Sequence, residues 1–289
     1  MEELPSNIIL KFNPNTLEEV RTDIGLDIRR LNEALDILEA WVKKQAHFTK
    51  KDFSRDYLER TLFTAKGSVE KAKQKIDKIC TMKTLMPEFF VFKDPREDFE
   101  DIDNIICQVH MPKMTKENCR VYILKMNTDD YSASLTEYLK RYEYCSGFHI
   151  ITDIQEANLL NIVTKFTTLS LIRILFQDGY GMRTKGIHVI TQSKMVDTIV
   201  TFLKQVLTPK LASRVHIHKT VESLYEHVPK DVLPVDLGGT EKSLRELSEY
   251  KNYYKEILKA NTDESRRPSY TFNQEHIGTP GSFRTLTVD

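Results

Sequence analysis

Past Arg120 the chain passes from helical stripes to short β-rich runs separated by amphipathic stretches, and that alternation leaves few folds open. The runs are 121–124 (VYIL), 148–154 (FHIITDI), 187–190 (IHVI) and 215–217 (VHI). Between them lie helix-patterned segments at 132–142, 158–176, 194–207 and 221–227. Strand and helix in alternation need crossover connections, which predicts an α/β domain built on a mostly parallel sheet. A last helix is expected over 241–258, followed by a tail rich in Ser, Thr, Pro and Gly.

Upstream the texture is helical. Ile28, Leu31, Leu35, Leu38 and Val42 fall three and four apart on one stripe, and Val69, Ala72, Ile76 and Ile79 form a second. Ser68 is placed to cap the second helix. The stretch DPREDFEDID, from Asp94 to Asp103, has no apolar period and reads as a connection. The expected organisation is therefore an all-helical unit over 1–92, an acidic connection over 93–104, the α/β domain over 105–258 and a tail over 259–289.

A chain of 289 residues with 40% apolar content and zero formal net charge has the makings of a packed core and not of a nucleic-acid coat. Ile8, Ile9 and Leu10 are flanked mainly by acids with no cleavage site after them, so they do not read as a secretory signal. No window of 18 apolar residues occurs, which leaves peripheral contact as the expected way to meet a bilayer. Cys80, Cys107, Cys119 and Cys145 show no C-x-x-C spacing and are expected as thiols in a cytoplasmic protein. A monomer without metal or cofactor is the expectation.

No catalytic set assembles in the sequence, and no enzyme is expected. The glycine-rich stretch 179–186 follows a helix-like segment and opens a strand, the reverse of a dinucleotide fingerprint. His216 and His218 share one face of a strand but lack the further ligands that zinc needs. Asp153 ends a strand without a partner acid or nucleophile, which favours a structural hydrogen bond over base chemistry.

Two features rise above this background. In 196–207 the residues Val196, Ile199, Val200, Leu203, Val206 and Leu207 fall on one helical face, opposite Asp197, Thr198, Thr201, Lys204 and Gln205. That pattern fits a helix lying on its own core as well as a mobile lid. Between 183 and 219 there are seven basic residues (Arg183, Lys185, Lys194, Lys204, Lys210, Arg214, Lys219) against the single acid Asp197. Such a block suits an anionic leaflet, at about 1 kcal/mol per near-surface cation, and equally a solvated face.

The runs Lys185-Gly-Ile-His-Val-Ile, Pro209-Lys-Leu-Ala-Ser-Arg-Val-His-Ile-His218 and Leu224-Tyr-Glu-His-Val-Pro-Lys-Asp-Val-Leu-Pro-Val-Asp-Leu-Gly-Gly239, in that order and spacing, closely resemble the CRAL-TRIO lipid-binding domain. Leu38-Glu-Ala-Trp-Val-Lys-Lys-Gln45 and Tyr57-Leu-Glu-Arg-Thr-Leu62 resemble the helical unit that precedes it. The resemblance implies a sheet flooring a lipid pocket, with 196–207 as a gate helix. It implies one hydrophobic ligand, tocopherol-, retinoid- or carotenoid-like or another lipid, walled by Phe148, Thr152, Ile172, Leu175, Phe176, Tyr180, Met182 and Ile187. Each of these fits the core equally well. Thr152 and Tyr180 suit a ligand with one hydroxyl or carbonyl. The family's phosphoinositide-binding cations fall on Arg183, Lys185, Lys210 and Arg214, implying a cytoplasmic protein that docks transiently on membranes. A phosphoinositide-reading trafficking adaptor without dedicated cargo is the alternative. The family's F-L-R-A-R run is Leu62-Phe-Thr-Ala-Lys66 here, with its arginines set against Phe63 and Ala65. The family's strand motif G-x-x-x-[IV]-x-D-x-x-G is matched at Gly147, Ile151 and Asp153, and Glu156 replaces its last glycine.

Overall fold

The computed structural model describes residues 10–48, 51–85, 106–126, 143–155, 183–194 and 207–248, together with residues 4, 198, 200 and 201. The first part is helical: α1 (Thr16–Asp23), α2 (Ile28–Lys44), α3 (Arg55–Thr64) and α4 (Val69–Leu85). Each of the last three starts at a side-chain cap. Asp27 accepts from the Arg30 amide at 2.8 Å, Ser54 from the Tyr57 amide at 3.2 Å and Ser68 from the Lys71 amide at 3.3 Å. The apolar stripes bury against one another, with Leu31, Leu35, Leu38 and Val42 of α2 meeting Leu58 and Leu62 of α3 and Ala72, Ile76 and Ile79 of α4. Ile28 departs from the expectation. Although it is on the stripe by spacing, it is 59% exposed, because the first turn after Asp27 overhangs the core.

Among the described residues the sheet has five strands in sequence order: β1 (Ile106–Met114), β2 (Cys119–Met126), β3 (Gly147–Asp153), β4 (Thr184–Ile190) and β5 (Val215–His218). β2 to β5 run parallel and β1 pairs antiparallel with β2. β1 is an element that the sequence pattern did not disclose. It carries Pro112, which has no amide proton, at a break in register between His110 and Met114, a place where an edge strand accommodates proline.

Alternation along the strands separates two faces. On the back face Val109, Met111, Val121, Ile123, Ile151 and Ile190 pack against Leu224, Val228, Val232, Leu233 and Leu237, and against Leu244 and Leu247 of the helix here called α6 (Leu244–Ser248). The intervening segment folds as short 3-10 turns, Glu222–Glu226, Lys230–Val232 and Val235–Leu237, where a helix was expected over 221–227. Proline at 229 and 234 breaks the hydrogen-bond run after the first two turns, and Gly238 ends the third. Another short helix, α5 (Pro209–Ala212), leads into β5.

A buried guanidinium joins the two parts of the molecule. Arg120, fully buried, donates from Nε and Nη2 to the Glu143 carboxylate at 2.7 and 3.1 Å, and from Nη1 to the carbonyls of Lys11 and Met111 at 3.2 Å and of Pro112. Nearby, Asn118 accepts from Asn13 and Thr16, each at 3.0 Å, which ties the start of α1 to the β1–β2 turn.

Candidate functional site

Because β2 to β5 are parallel, their first residues, Cys119, Gly147, Thr184 and Val215, share one edge of the sheet. The four cations singled out in the sequence gather there. Arg183 and Lys185 bracket the first residue of β4, Lys210 lies on α5 and Arg214 immediately precedes β5. The β3–β4 register gives Lys185 its place: Phe148 pairs with Thr184 and His149 with Gly186, so Lys185 is the extra residue of a bulge. The Arg214 guanidinium donates to the Thr184 carbonyl, and its own carbonyl accepts from the Ile187 amide at 2.9 Å, so this arginine is fastened across both strands.

A fifth cation comes from the helical part. Lys66 ends the turn after α3, with φ 55, and Gly67 follows with φ 74. The Gly67 amide donates back to the Leu62 carbonyl at 2.9 Å and the Lys66 amide to Phe63 at 3.0 Å, a helix stop that aims Lys66 outward. No side chain fits at position 67, where a Cβ would come 2.7 Å from the Ile24 carbonyl. Phe63 meets the Tyr144 ring edge-on at 5.7 Å, and Arg60 donates to the Tyr144 hydroxyl at 3.2 Å. These contacts hold the turn against the strand edge. Lys66 feels the result: Lys210 foremost, then Arg183, partial burial, Arg214 and Lys71 push its ammonium below the usual lysine range. Among the described residues no carboxylate lies within ion-pair distance of Lys66, Arg183, Lys185, Lys210 or Arg214. Clustered cations repel one another, and an anion placed among them would relieve that repulsion.

The run F-L-R-A-R, set letter for letter on Leu62-Phe-Thr-Ala-Lys66, places its arginines against Thr64 and Lys66. The placement at Phe63 and Ala65 is corrected by one residue, and both of those side chains are buried. Lys66 escaped the sequence reading because more than a hundred residues separate it from Arg183. The available signal was a lysine and a glycine directly after an amphipathic helix.

Three of the eight proposed pocket residues, Phe148, Thr152 and Ile187, lie on the front face, turned away from the back-face layer. Their neighbours there by register are Tyr122, Leu124, Ile150, Val189, Val215 and Ile217. Phe148 and Val189 are buried, whereas Ile150, Thr152, Ile187, Val215 and Ile217 are only half-buried. The result is a largely apolar floor with two hydroxyl-bearing residues on it, Tyr122, whose side chain is buried, and the half-buried Thr152. Ile172, Leu175, Phe176, Tyr180 and Met182 lie outside the described residues. So do Val196, Ile199, Leu203 and Val206 of the expected gate. Residues 198, 200 and 201 are helical, with Val200 half-buried and Thr198 and Thr201 exposed, in the order the amphipathic pattern requires; Leu207 is half-buried in a bend.

A cleft of about 310 Å³ opens elsewhere, between the β1–β2 turn and the start of α1. Lys113, Lys116, Glu19 and Asp231 line it, a mixture of charges unsuited to an apolar ligand. Asp153 accepts from the Gln155 amide at 3.1 Å and from its side chain at 3.2 Å, which is the structural role expected of it. Among the described residues no group of three or more His, Cys, Asp or Glu is placed to hold a metal ion, and no helix is long and apolar enough to cross a membrane. Cys80, Cys119 and Cys145 are free thiols, and burial pushes those of Cys119 and Cys145 up.

Comparison with known proteins bears on this arrangement. The family model described as the CRAL/TRIO domain matches residues 55–239. Over 76 residues, 26% of this chain, the sequence is 34% identical to the alpha-tocopherol transfer protein-like proteins of Homo sapiens and Pongo abelii and 33% identical to that of Mus musculus. The matched segment spans 22% of the length of each relative. The crystal structure of Sfh5 has the same fold, with a TM-score of 0.51 at 10% identity over 82% of this chain and 99% of that one. With the family match covering more than half of its residues and helices leading into a mostly parallel five-stranded sheet, this chain belongs to the CRAL/TRIO family of lipid-binding and lipid-transfer proteins.

Proposed function

We propose that this protein carries one hydrophobic small molecule over the front face of its sheet and exchanges it at membranes, where the edge cluster docks on phosphoinositide headgroups. The observation that carries this reading is the adjacency of two surfaces. The half-buried apolar floor formed by Ile150, Thr152, Ile187, Val215 and Ile217 adjoins the edge where Lys66, Arg183, Lys185, Lys210 and Arg214 gather with no carboxylate at ion-pair distance among the described residues. An apolar ligand needs the floor, and an anionic leaflet needs the cations. Thr152 orients one polar group of the ligand. Tocopherol, named for the relatives, is the first candidate. The remaining wall is assigned to Phe148, Ile172, Leu175, Phe176, Tyr180 and Met182, and the lid to 196–207. The protein acts as a cytoplasmic monomer that visits membranes, performing transfer and not catalysis.

Two measurements test this. Mass spectrometry of an organic extract of the purified protein should find a neutral lipid near one per chain, whereas phosphoinositide alone would replace carriage by the adaptor reading. Flotation with vesicles containing phosphatidylinositol bisphosphate should capture the wild type. The Lys66→Ala/Lys210→Ala variant should bind about thirty-fold more weakly, from about 1 kcal/mol per cation. Equal capture of both removes the docking site.

A further inference from the structure

Five of the eight histidines meet on the back face, where β3, β4 and β5 are overlaid by residues 220–227. His188 is at the centre. Its ring centroid lies 5.4 Å from that of His149, 5.2 Å from His216, and 5.3 Å from both His218 and His227, while His216 and His227 approach to 4.2 Å. Hydrogen bonds order three of the rings. The single hydroxyl proton of Ser223 goes to the Thr220 carbonyl at 2.8 Å, so His218 must donate from Nδ1 to Ser223 Oγ at 2.9 Å. His218 Nε2 is then an acceptor for His188 Nδ1–H at 3.1 Å, and His188 Nε2 for His149 Nδ1–H at 3.1 Å. One carbonyl fixes three tautomers. The inner nitrogens are thereby committed to one another and not turned toward a common metal.

We propose that this imidazole cluster is an acid-released latch, which holds β5 and residues 220–227 onto the sheet at neutral pH and lets that edge open under mild acid while the rest stays folded. β5 is suited to such a role: it has four residues and forms the end of the described sheet, paired there with β4 alone. With residues 220–227 it supplies three of the five rings. Burial is the first cause holding His149, His188, His216 and His218 below the usual imidazole range, and it pushes His188 down to about 2. The facing charges do not offset it. From the β1–β2 turn Glu117 favours a cation on His149 while Lys185 of β4 opposes one, and Glu226 favours one on His218 while His227 and His216 oppose it. A ring held neutral when closed and near 6.5 when open contributes stability that is complete above that pH and lost below it.

Hydrogen exchange, corrected for its intrinsic pH dependence, tests the latch. Each ring freed on opening raises the open population about tenfold between about pH 7.5 and about pH 5.5, so two or more rings should lower protection over 213–228 about a hundredfold. Protection over 31–62 and 121–125 should hold. His216→Asn, which removes a half-buried ring, should make the drop less steep. Because His188→Gln would disturb the packing, nitrogen NMR of the wild type serves as the second readout. His149, His188 and His218 should appear as Nδ1–H tautomers that titrate together with the opening. Independent titration of these rings with protection intact, a drop shared equally by 31–62, or an unchanged slope in His216→Asn would each overturn the latch.

Discussion

The stem of Lys185 occupies the space that a side chain at Gly147 would need: a Cβ there would stand 2.8 Å from Lys185 Cγ and 2.6 Å from the Arg183 carbonyl oxygen. The missing side chain thus does two things. It lets β3 approach the start of β4, and it sets the course of one of the five edge cations.

Gly147→Ala is therefore expected to lower stability by about 1–3 kcal/mol, the usual range for overpacking, because the backbone oxygen cannot rotate away. It should also weaken capture by phosphoinositide vesicles, since Lys185 must leave its groove. Lys185→Met separates the two effects, lowering capture while leaving the urea midpoint close to wild type. A Gly147→Ala protein as stable as wild type would mean that the strand edge yields without strain.

Arg120 and Glu143 form a buried pair joined by two hydrogen bonds, Arg120 donating also to three backbone carbonyls, and removal of one partner leaves the other charge without compensation. Arg120→Met should cost about 3–5 kcal/mol in urea denaturation. Glu143→Gln, which keeps an acceptor, should cost less. Both should loosen residues 11–13 from the sheet, which limited proteolysis reads as faster cleavage near Lys11.

His110 is buried with its ring stacked on Tyr122 at 4.6 Å, and burial, followed by the Arg120 charge, pushes its pKa down to about 3. The unfolded chain takes up this proton near pH 6.5 whereas the folded chain does not. Its share of stability is thus complete above about pH 6.5 and lost as pH falls toward about 3, at about 1.4 kcal/mol per unit. His110→Phe keeps the stack and should flatten the dependence of unfolding free energy on pH by one proton between about pH 6 and about pH 4.5. An unchanged slope would show that His110 is protonated in the folded protein.

Val200 tests the lid. Val200→Asp should speed loss of bound ligand at least tenfold while lowering the melting temperature less than Leu38→Ala, a core truncation expected to cost about 2–5 kcal/mol. If Val200→Asp fails to fold, the segment is core and the lid assignment falls.

Local pattern made much of this architecture legible. Strand runs at 121–124, 148–154, 187–190 and 215–217 lie within or within a residue of the observed strands, because runs rich in β-branched residues with one face buried and the other partly covered leave a nearly continuous apolar signature. The stripe through Leu31, Leu35, Leu38 and Val42 buries as its period requires. α1 went unseen because it is a single short helix entered through Asn15 in a left-handed conformation and held by Asn118, a hundred residues away. For the edge cluster, Arg183, Lys185, Lys210 and Arg214 were visible as a charge block, while Lys66 needed the packing of Phe63 on Tyr144. His216 and His218 were visible as a pair, but only the β3–β4–β5 register brings His149 and His188 to them.

The sequential order of the strands bears on how the chain is made. From β2 onward each strand pairs with the one that immediately precedes it in the chain, so the sheet can be extended one strand at a time as residues leave the ribosome. The described cover of its back face follows another schedule. Leu224, Val228, Leu233, Leu237, Leu244 and Leu247 arrive after β5, so the described layer over Val121, Ile123, Ile151 and Ile190 is complete only when synthesis has passed residue 247. Among the described residues, then, the strands are delivered first and the layer that seals their back face is delivered last.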